Sequence, residues 1–169
     1  VVAQPVFSNG LCVAWVASIA HWGDIGGRTS GSMSTKTTEI IAEGLRLPIV
    51  RLYKAGISNE SVVDIIITNS RLPDFVRGDL WAQVAAGRRA AKTIVQLCDS
   101  FGVDALQSAI SEARRIGKRR AKAGLRLLQN NNFSFEKEQD DGTFWKASIK
   151  ITDERMIIDL RDAPIEALG

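Results

Sequence analysis

Apolar positions along this chain change period three times, and each change marks a different kind of element. Val6 and Phe7, then Leu11 to Ile19, flank Asn9-Gly10. That pair adopts positive φ at little cost, so the pattern predicts a β-hairpin. Its second strand is apolar on both faces, Leu11, Val13 and Trp15 against Cys12, Ala14 and Val16, as expected of a strand covered on both sides. Residues 26–38 (GGRTSGSMSTKTT) hold three glycines and seven Ser or Thr, which cannot form an apolar face. Such a stretch is either a linker or a functional loop. Its place directly after the polar pair His21 and Asp24 favours the loop.

Spacing then becomes helical. Asn59 is placed to cap a helix in which Val62, Val63, Ile66 and Ile67 share a face, ending before Pro73. Pro73 and Asp74 open a long helix with Val76, Leu80, Val84, Ala91, Ile94, Val95 and Cys98 at three- and four-residue spacing, closed by Gly102. A third helix starts at Asp104. Its stripe of Leu106, Ile110, Ala113, Gly117, Ala121, Gly124 and Leu128 is small enough to let another helix approach, so these two long helices are expected to form an antiparallel pair.

After a polar break at Gln129 to Asn132, alternation returns in Phe133 to Glu138, Thr143 to Thr152 and Met156 to Leu160, with Asp141-Gly142 as a turn. Trp145, Ala147, Ile149 and Ile151 face one way and Lys146, Ser148 and Lys150 the other, so one face of this meander is wet. The expected fold class is α+β: a β-hairpin belonging to a larger sheet, central long antiparallel helices and a small C-terminal antiparallel sheet. Its divisions fall at residues 1–57, 58–130 and 131–169.

Composition narrows the classes. The 169 residues are 45% hydrophobic and 24% charged, a globular balance. No apolar run reaches the roughly 18 residues of a membrane span. Two distant cysteines, Cys12 and Cys98, read as reduced, buried thiols of a cytoplasmic protein and exclude a zinc finger or disulfide framework. The net charge of +3 is concentrated in Arg114, Arg115, Lys118, Arg119, Arg120, Lys122 and Arg126. Without interleaved aromatics, these suit a solvated face or an acidic partner better than a nucleic-acid interface. The chain opens at Val1, already in a strand, which reads as an internal fragment.

Nucleotide motifs are absent. Gly26 and Gly31 have the glycine spacing of a P-loop, but Ser32 and Met33 stand where Lys and Ser/Thr are needed. With a single histidine, any nucleophile–base device must use His21. A strand end can present His21 with Asp24, and Gly26-Gly27 permits close backbone approach. This combination suits a metal ligand or an acid–base pair, although a lone histidine is more often a structural hydrogen-bonder.

AHWGDIGG, then GSMST, EGLRLPIVRLYKAG, NSRLP and GDLWAQVAAGRRA follow one another as they do in the hydantoinase B/oxoprolinase family, which this chain resembles from Pro5 to about Asp162. The family comprises the larger catalytic subunits or regions of ATP-dependent N-methylhydantoinases and 5-oxoprolinases, and related acetone and acetophenone carboxylase subunits. The resemblance implies a cytoplasmic, hetero-oligomeric enzyme. In it a hydantoinase A-type, actin-like ATPase subunit uses ATP to phosphorylate a cyclic amide or ketone, and this subunit takes the activated species onward.

The resemblance further implies a divalent metal (Mn, Zn or Fe), with His21 as one ligand and a His and an Asp, expected upstream of Val1, as the others. Asp24 matches the motif's carboxylate and would orient His21 or transfer a proton. Glu43 and Arg46, in EGLRLP, would form a buried ion pair bracing the loop or contact substrate, Arg46 being suited to a carboxylate or phosphate by its planar fork. Asn69, Arg71 and Asp79 are expected to satisfy helix termini around Pro73. Trp81 departs from the more usual Arg of GDLRAQ. A non-catalytic structural subunit is the alternative, and a basic nucleic-acid-binding helical module a more distant one.

Overall fold

The computed structural model describes residues 1–32, 34, 37–128, 131–140, 142–152 and 155–164. Asn9 and Gly10 take φ of 50° and 77° and form the expected turn between β1 (Val2–Ser8) and β2 (Leu11–Ser18), with Ser8 opposite Leu11. A register shift between Val6 and Phe7 interrupts the ladder. Alternation then decides which face is buried: Val6 and Ser8 are covered, while Phe7 is open.

The helix packed on this hairpin is α2 (Pro73–Phe101). Within the described residues it covers one face only. Trp15 remains 69% exposed, with Phe7, Leu11 and Ile19 also open, so within these residues only one face of the hairpin is covered. Cys12 shares that open side and is exposed, contrary to expectation, whereas Cys98 is buried in α2.

The two helices that build the core follow their apolar spacing. Asn59 precedes α1 (Glu60–Thr68), and its carbonyl accepts from the Val62 and Val63 amides. Its side chain does not cap the helix; it donates instead to the Arg51 carbonyl at 3.4 Å. Pro73 sits in the first turn of α2, where a missing N–H costs nothing. At the other end Gly102, with φ 85°, donates to the Cys98 carbonyl at 2.8 Å. Val63, Ile66 and Ile67 of α1 meet Val76 and Leu80 of α2 in the core, and Trp22, Leu45, Leu52 and Trp81 pack around them.

Alternation does not reveal a small hairpin, β3 (Tyr53–Lys54) and β4 (Ile57–Ser58), because each strand is two residues long. Its turn, Ala55-Gly56, has positive φ at both residues. Tyr53 meets Trp81 edge-on, ring centroids 6.3 Å apart, and the Arg88 guanidinium lies 4.7 Å from the Tyr53 centroid.

The first unit spans Val1–Val103 and the second begins at Asp104. The third helix, α3 (Val103–Leu127), has no buried residue; Leu106, Ile116 and Leu125 are half-covered and Ile110 is exposed. Where a side chain would extend from Gly117 or Gly124 there is open space. The sheet is an antiparallel meander of β5 (Asn132–Glu138), β6 (Phe144–Ile151) and β7 (Met156–Asp159), with Phe135 opposite Ala147 and Ile149 opposite Ile158. Gly142 has φ 80° in the β5–β6 turn, while Asp141 lies outside the described residues, as do Gln129 and Asn130 of the polar break and Met33, Thr35 and Lys36 of the loop. The architecture is α+β: an N-terminal hairpin, three helices and a three-stranded antiparallel sheet. Among the described residues no helix is long and apolar enough to cross a membrane.

Candidate functional site

Between the end of β2 and the core helices the chain folds back on itself around one carboxylate. Asp24 is 1% exposed. Its Oδ1 accepts from the backbone amides of Gly26 at 2.9 Å and Arg71 at 3.1 Å. Its Oδ2 accepts from the Gly31 amide at 3.0 Å and from Arg71 Nη1 at 2.9 Å. The Arg71 amide is the largest influence on this group, and together with the Gly26 amide, the Arg71 guanidinium and the Gly31 amide it outweighs the opposing effect of burial. The carboxyl is therefore held well below the usual carboxylate range.

Arg71 completes the arrangement. Its Nη2 donates to the Gly27 carbonyl at 2.5 Å and its Nη1 reaches the Thr29 carbonyl at 3.3 Å. One planar guanidinium thus ties the carboxylate to two carbonyls of the glycine-rich loop, which a lysine's point charge would not reproduce. Ser70 Oγ adds a bond to the Asp24 carbonyl at 2.9 Å, and Ser32 Oγ accepts from the Ile25 amide at 2.8 Å.

Three glycines let the backbones approach this closely. Gly26 and Gly44 form an antiparallel bridge, flanked by bonds from the Leu45 amide to the Ile25 carbonyl and from the Arg28 amide to the Ala42 carbonyl, each 2.8 Å. A Cβ on Gly27 would lie 2.7 Å from the Glu43 carbonyl oxygen, and one on Gly44 would lie 2.5 Å from that of Ile25. On Gly26, at φ 79°, it would overlap the Asn69 carbonyl oxygen. These positions need glycine for space, and Gly26 and Gly44 need it for φ as well.

His21, three residues before Asp24, is exposed, and its imidazole makes no hydrogen bond among the described residues. Glu43 and Arg46 are exposed too and form no ion pair with each other, so the expected buried pair is corrected. Bracing falls instead to Asp24 and Arg71. The EGLRLP segment contributes its main chain, through Gly44 and Leu45, with Ala42 just ahead of it. Asn69 acts at a helix end as expected, its Nδ2 donating to the Ile65 carbonyl at 2.7 Å. Arg71 does more than the helix-terminus role expected of it, and Asp79 is exposed.

Gln83 was not anticipated. It is buried in α2, donates through Nε2 to the Ser18 carbonyl and accepts at Oε1 from the Trp22 indole N–H, both at 3.0 Å. The available signal was a polar residue on the apolar stripe between Leu80 and Val84.

Among the described residues no group of three His, Cys, Asp or Glu is placed to hold a metal ion. Both Asp24 oxygens already face N–H donors, leaving His21 as a single open nitrogen donor. These residues do not by themselves fit a metal centre; they offer one ligand toward one.

Comparison with known proteins agrees with the motif pattern. The family model described as hydantoinase B/oxoprolinase matches residues 1–169. The beta subunit of caprolactamase from Pseudomonas jessenii is 32% identical over 88% of this chain and 26% of its own length. The delta subunit of acetophenone carboxylase from Aromatoleum aromaticum is 29% identical over 75% of this chain and 18% of its own. The crystal structure of the ATP-dependent caprolactamase from P. jessenii superposes with a TM-score of 0.86 at 29% identity, covering 96% of this chain and 29% of that one. The chain thus spans between 18% and 29% of the length of these relatives.

Proposed function

The chain belongs to the hydantoinase B/oxoprolinase family, and from that premise we propose that it forms one wall of the active site of a cytoplasmic, ATP-dependent amidohydrolase or ketone carboxylase. The observation that carries this reading is the contrast between neighbours: Asp24 is buried and fully bonded, while His21 is exposed with its imidazole open. A loop this heavily braced, with an unengaged imidazole just ahead of it, is suited to presenting that imidazole to something outside the segment.

In this reading His21 contributes a neutral nitrogen ligand to a divalent cation whose other ligands come from elsewhere in the enzyme. When bound, the cation would stabilise negative charge developing on a substrate oxygen. Asp24 sets the shape of the loop. A carboxylate held ionised by four N–H groups is a weak base, so its contribution is to hold the backbone after His21 in place. Glu43 and Arg46, both exposed on the segment that bridges to this loop, are the side chains proposed to meet substrate. The relatives' names include beta and delta subunits, which supports a hetero-oligomer; the proposal assigns the nucleotide to a separate ATPase subunit of it.

The decisive experiment replaces His21 by Ala in the intact enzyme and measures metal content by elemental analysis together with turnover. Loss of the metal and of most, though not all, turnover is expected. Full metal occupancy and full turnover would instead make this segment a structural part of the complex.

A further inference from the structure

Gln83 is one of three buried polar residues among those described in the first unit, with Ser8 and Asp24, and it lies 5% exposed on the apolar face of α2. Packing alone does not call for an amide there. Burying one is unfavourable unless its donor and acceptor are both used, and methionine fills a similar volume with no polar atom to satisfy. Both amide ends are used. The Ser18 carbonyl can only accept and the Trp22 indole N–H can only donate, so the pair requires one side chain that does both. Glutamate lacks the donor and lysine the acceptor.

What distinguishes the two partners is their position. Ser18 is the last residue of β2, Trp22 packs against the α1–α2 core, and His21 lies between them. Gln83 therefore fastens the chain on both sides of His21 to the same turn of a 29-residue helix. Beyond Trp22, the Asp24–Arg71 pair fastens it again. The exposed histidine is held between two buried anchors.

We propose that Gln83 is a positioning residue for His21, fixing the backbone from Ser18 to Trp22 so that the imidazole is presented in one direction. This rests on the reading of His21 as a site residue. It adds the element that aims it, and it accounts for a buried amide on an otherwise apolar face.

The test is a double-mutant cycle in the intact enzyme. Gln83→Met removes both bonds while keeping shape. It is expected to lower kcat roughly 10- to 100-fold, the usual effect of removing a group that orients a site histidine, with KM little changed and the urea midpoint lowered, because the Ser18 carbonyl and the Trp22 indole N–H lose their partner. In a His21→Ala background the same substitution is expected to produce no further fall, because the residue it acts through is gone. Trp22→Phe, which keeps a ring and removes one bond, should show a smaller fall with the same non-additivity, and it serves if Gln83→Met does not fold.

Wild-type kcat in both Gln83→Met and Trp22→Phe overturns the proposal, as does a loss that multiplies undiminished with that of His21→Ala. A fully active His21→Ala enzyme refutes the site reading itself. An inactive His21→Ala beside an active Gln83→Met refutes only the positioning role.

Discussion

Replacing Gly26 by Ala tests whether the loop around Asp24 is shaped by backbone contact. Two costs are expected, and other glycines allow each to be measured alone. Gly10 has φ 77°, close to the 79° of Gly26, but open space where its Cβ would go. Gly10→Ala therefore reports the cost of a left-handed side-chain-bearing residue, about 1–2 kcal/mol. Gly27 lies outside the positive-φ region, yet its Cβ would sit 2.7 Å from the Glu43 carbonyl oxygen and 2.9 Å from that of Ala42. Gly27→Ala reports the cost of overlap against backbone, about 1–3 kcal/mol.

Gly26→Ala incurs both. The Asn69 carbonyl it would strike belongs to the residue that ends α1, whose side chain is fastened to Ile65, so the obstacle cannot swing aside as a flexible side chain would. The sum is about 2–5 kcal/mol, offset by up to about 1 kcal/mol from the stiffer unfolded chain. Urea unfolding followed by tryptophan fluorescence is the assay, with Trp145 replaced by Phe so that the signal comes from Trp15, Trp22 and Trp81 of the first unit. With a denaturant slope of about 2 kcal/mol per molar, Gly26→Ala should unfold at a midpoint about 1 M below Gly10→Ala. Coincident midpoints for these two variants would mean that Asn69 does not confine the loop, and the steric account of the glycine motif would fail.

Two further outcomes follow from the same geometry. Asp24 has a folded-state pKa below its unfolded value of about 3.9, so the stability it contributes is fully present above that value and is lost as pH falls through the folded pKa. The stability difference between wild type and Asp24→Asn, from urea midpoints between pH 7 and pH 3, should shrink toward the acid end; a difference independent of pH would remove the ionised carboxylate and its four N–H donors as its cause. In α3, Gly117→Ala and Gly124→Ala enter open space and should each stabilise the helix by up to about 1 kcal/mol in thermal unfolding. Destabilisation would instead show that the small-residue stripe is used for close helix approach.

What could be read in advance divides along the range of the interactions involved. The hairpin turn at Asn9-Gly10, the apolar faces of α1 and α2 and the Gly102 stop are encoded within a few residues of themselves, so spacing and turn chemistry were enough. The two-sided apolar pattern of β2 reports what a strand prefers to cover, and within these residues α2 covers one side only. The candidate site shows the same division. His21 and Asp24 stood out because rare residue types lay close together, but the partner of Asp24 is 47 residues away and that of Trp22 is 61. No local spacing joins them. Glu43 and Arg46 had the right charges for a brace, yet the bridge at Gly44 engages the main chain between them and leaves both side chains in solvent. Arg71 could be singled out only as a polar residue near a helix start, and Gln83 only as an irregularity in an apolar stripe. Both become intelligible once the fold sets them against residues 18–31, where a guanidinium and an amide hold the two sides of an exposed histidine.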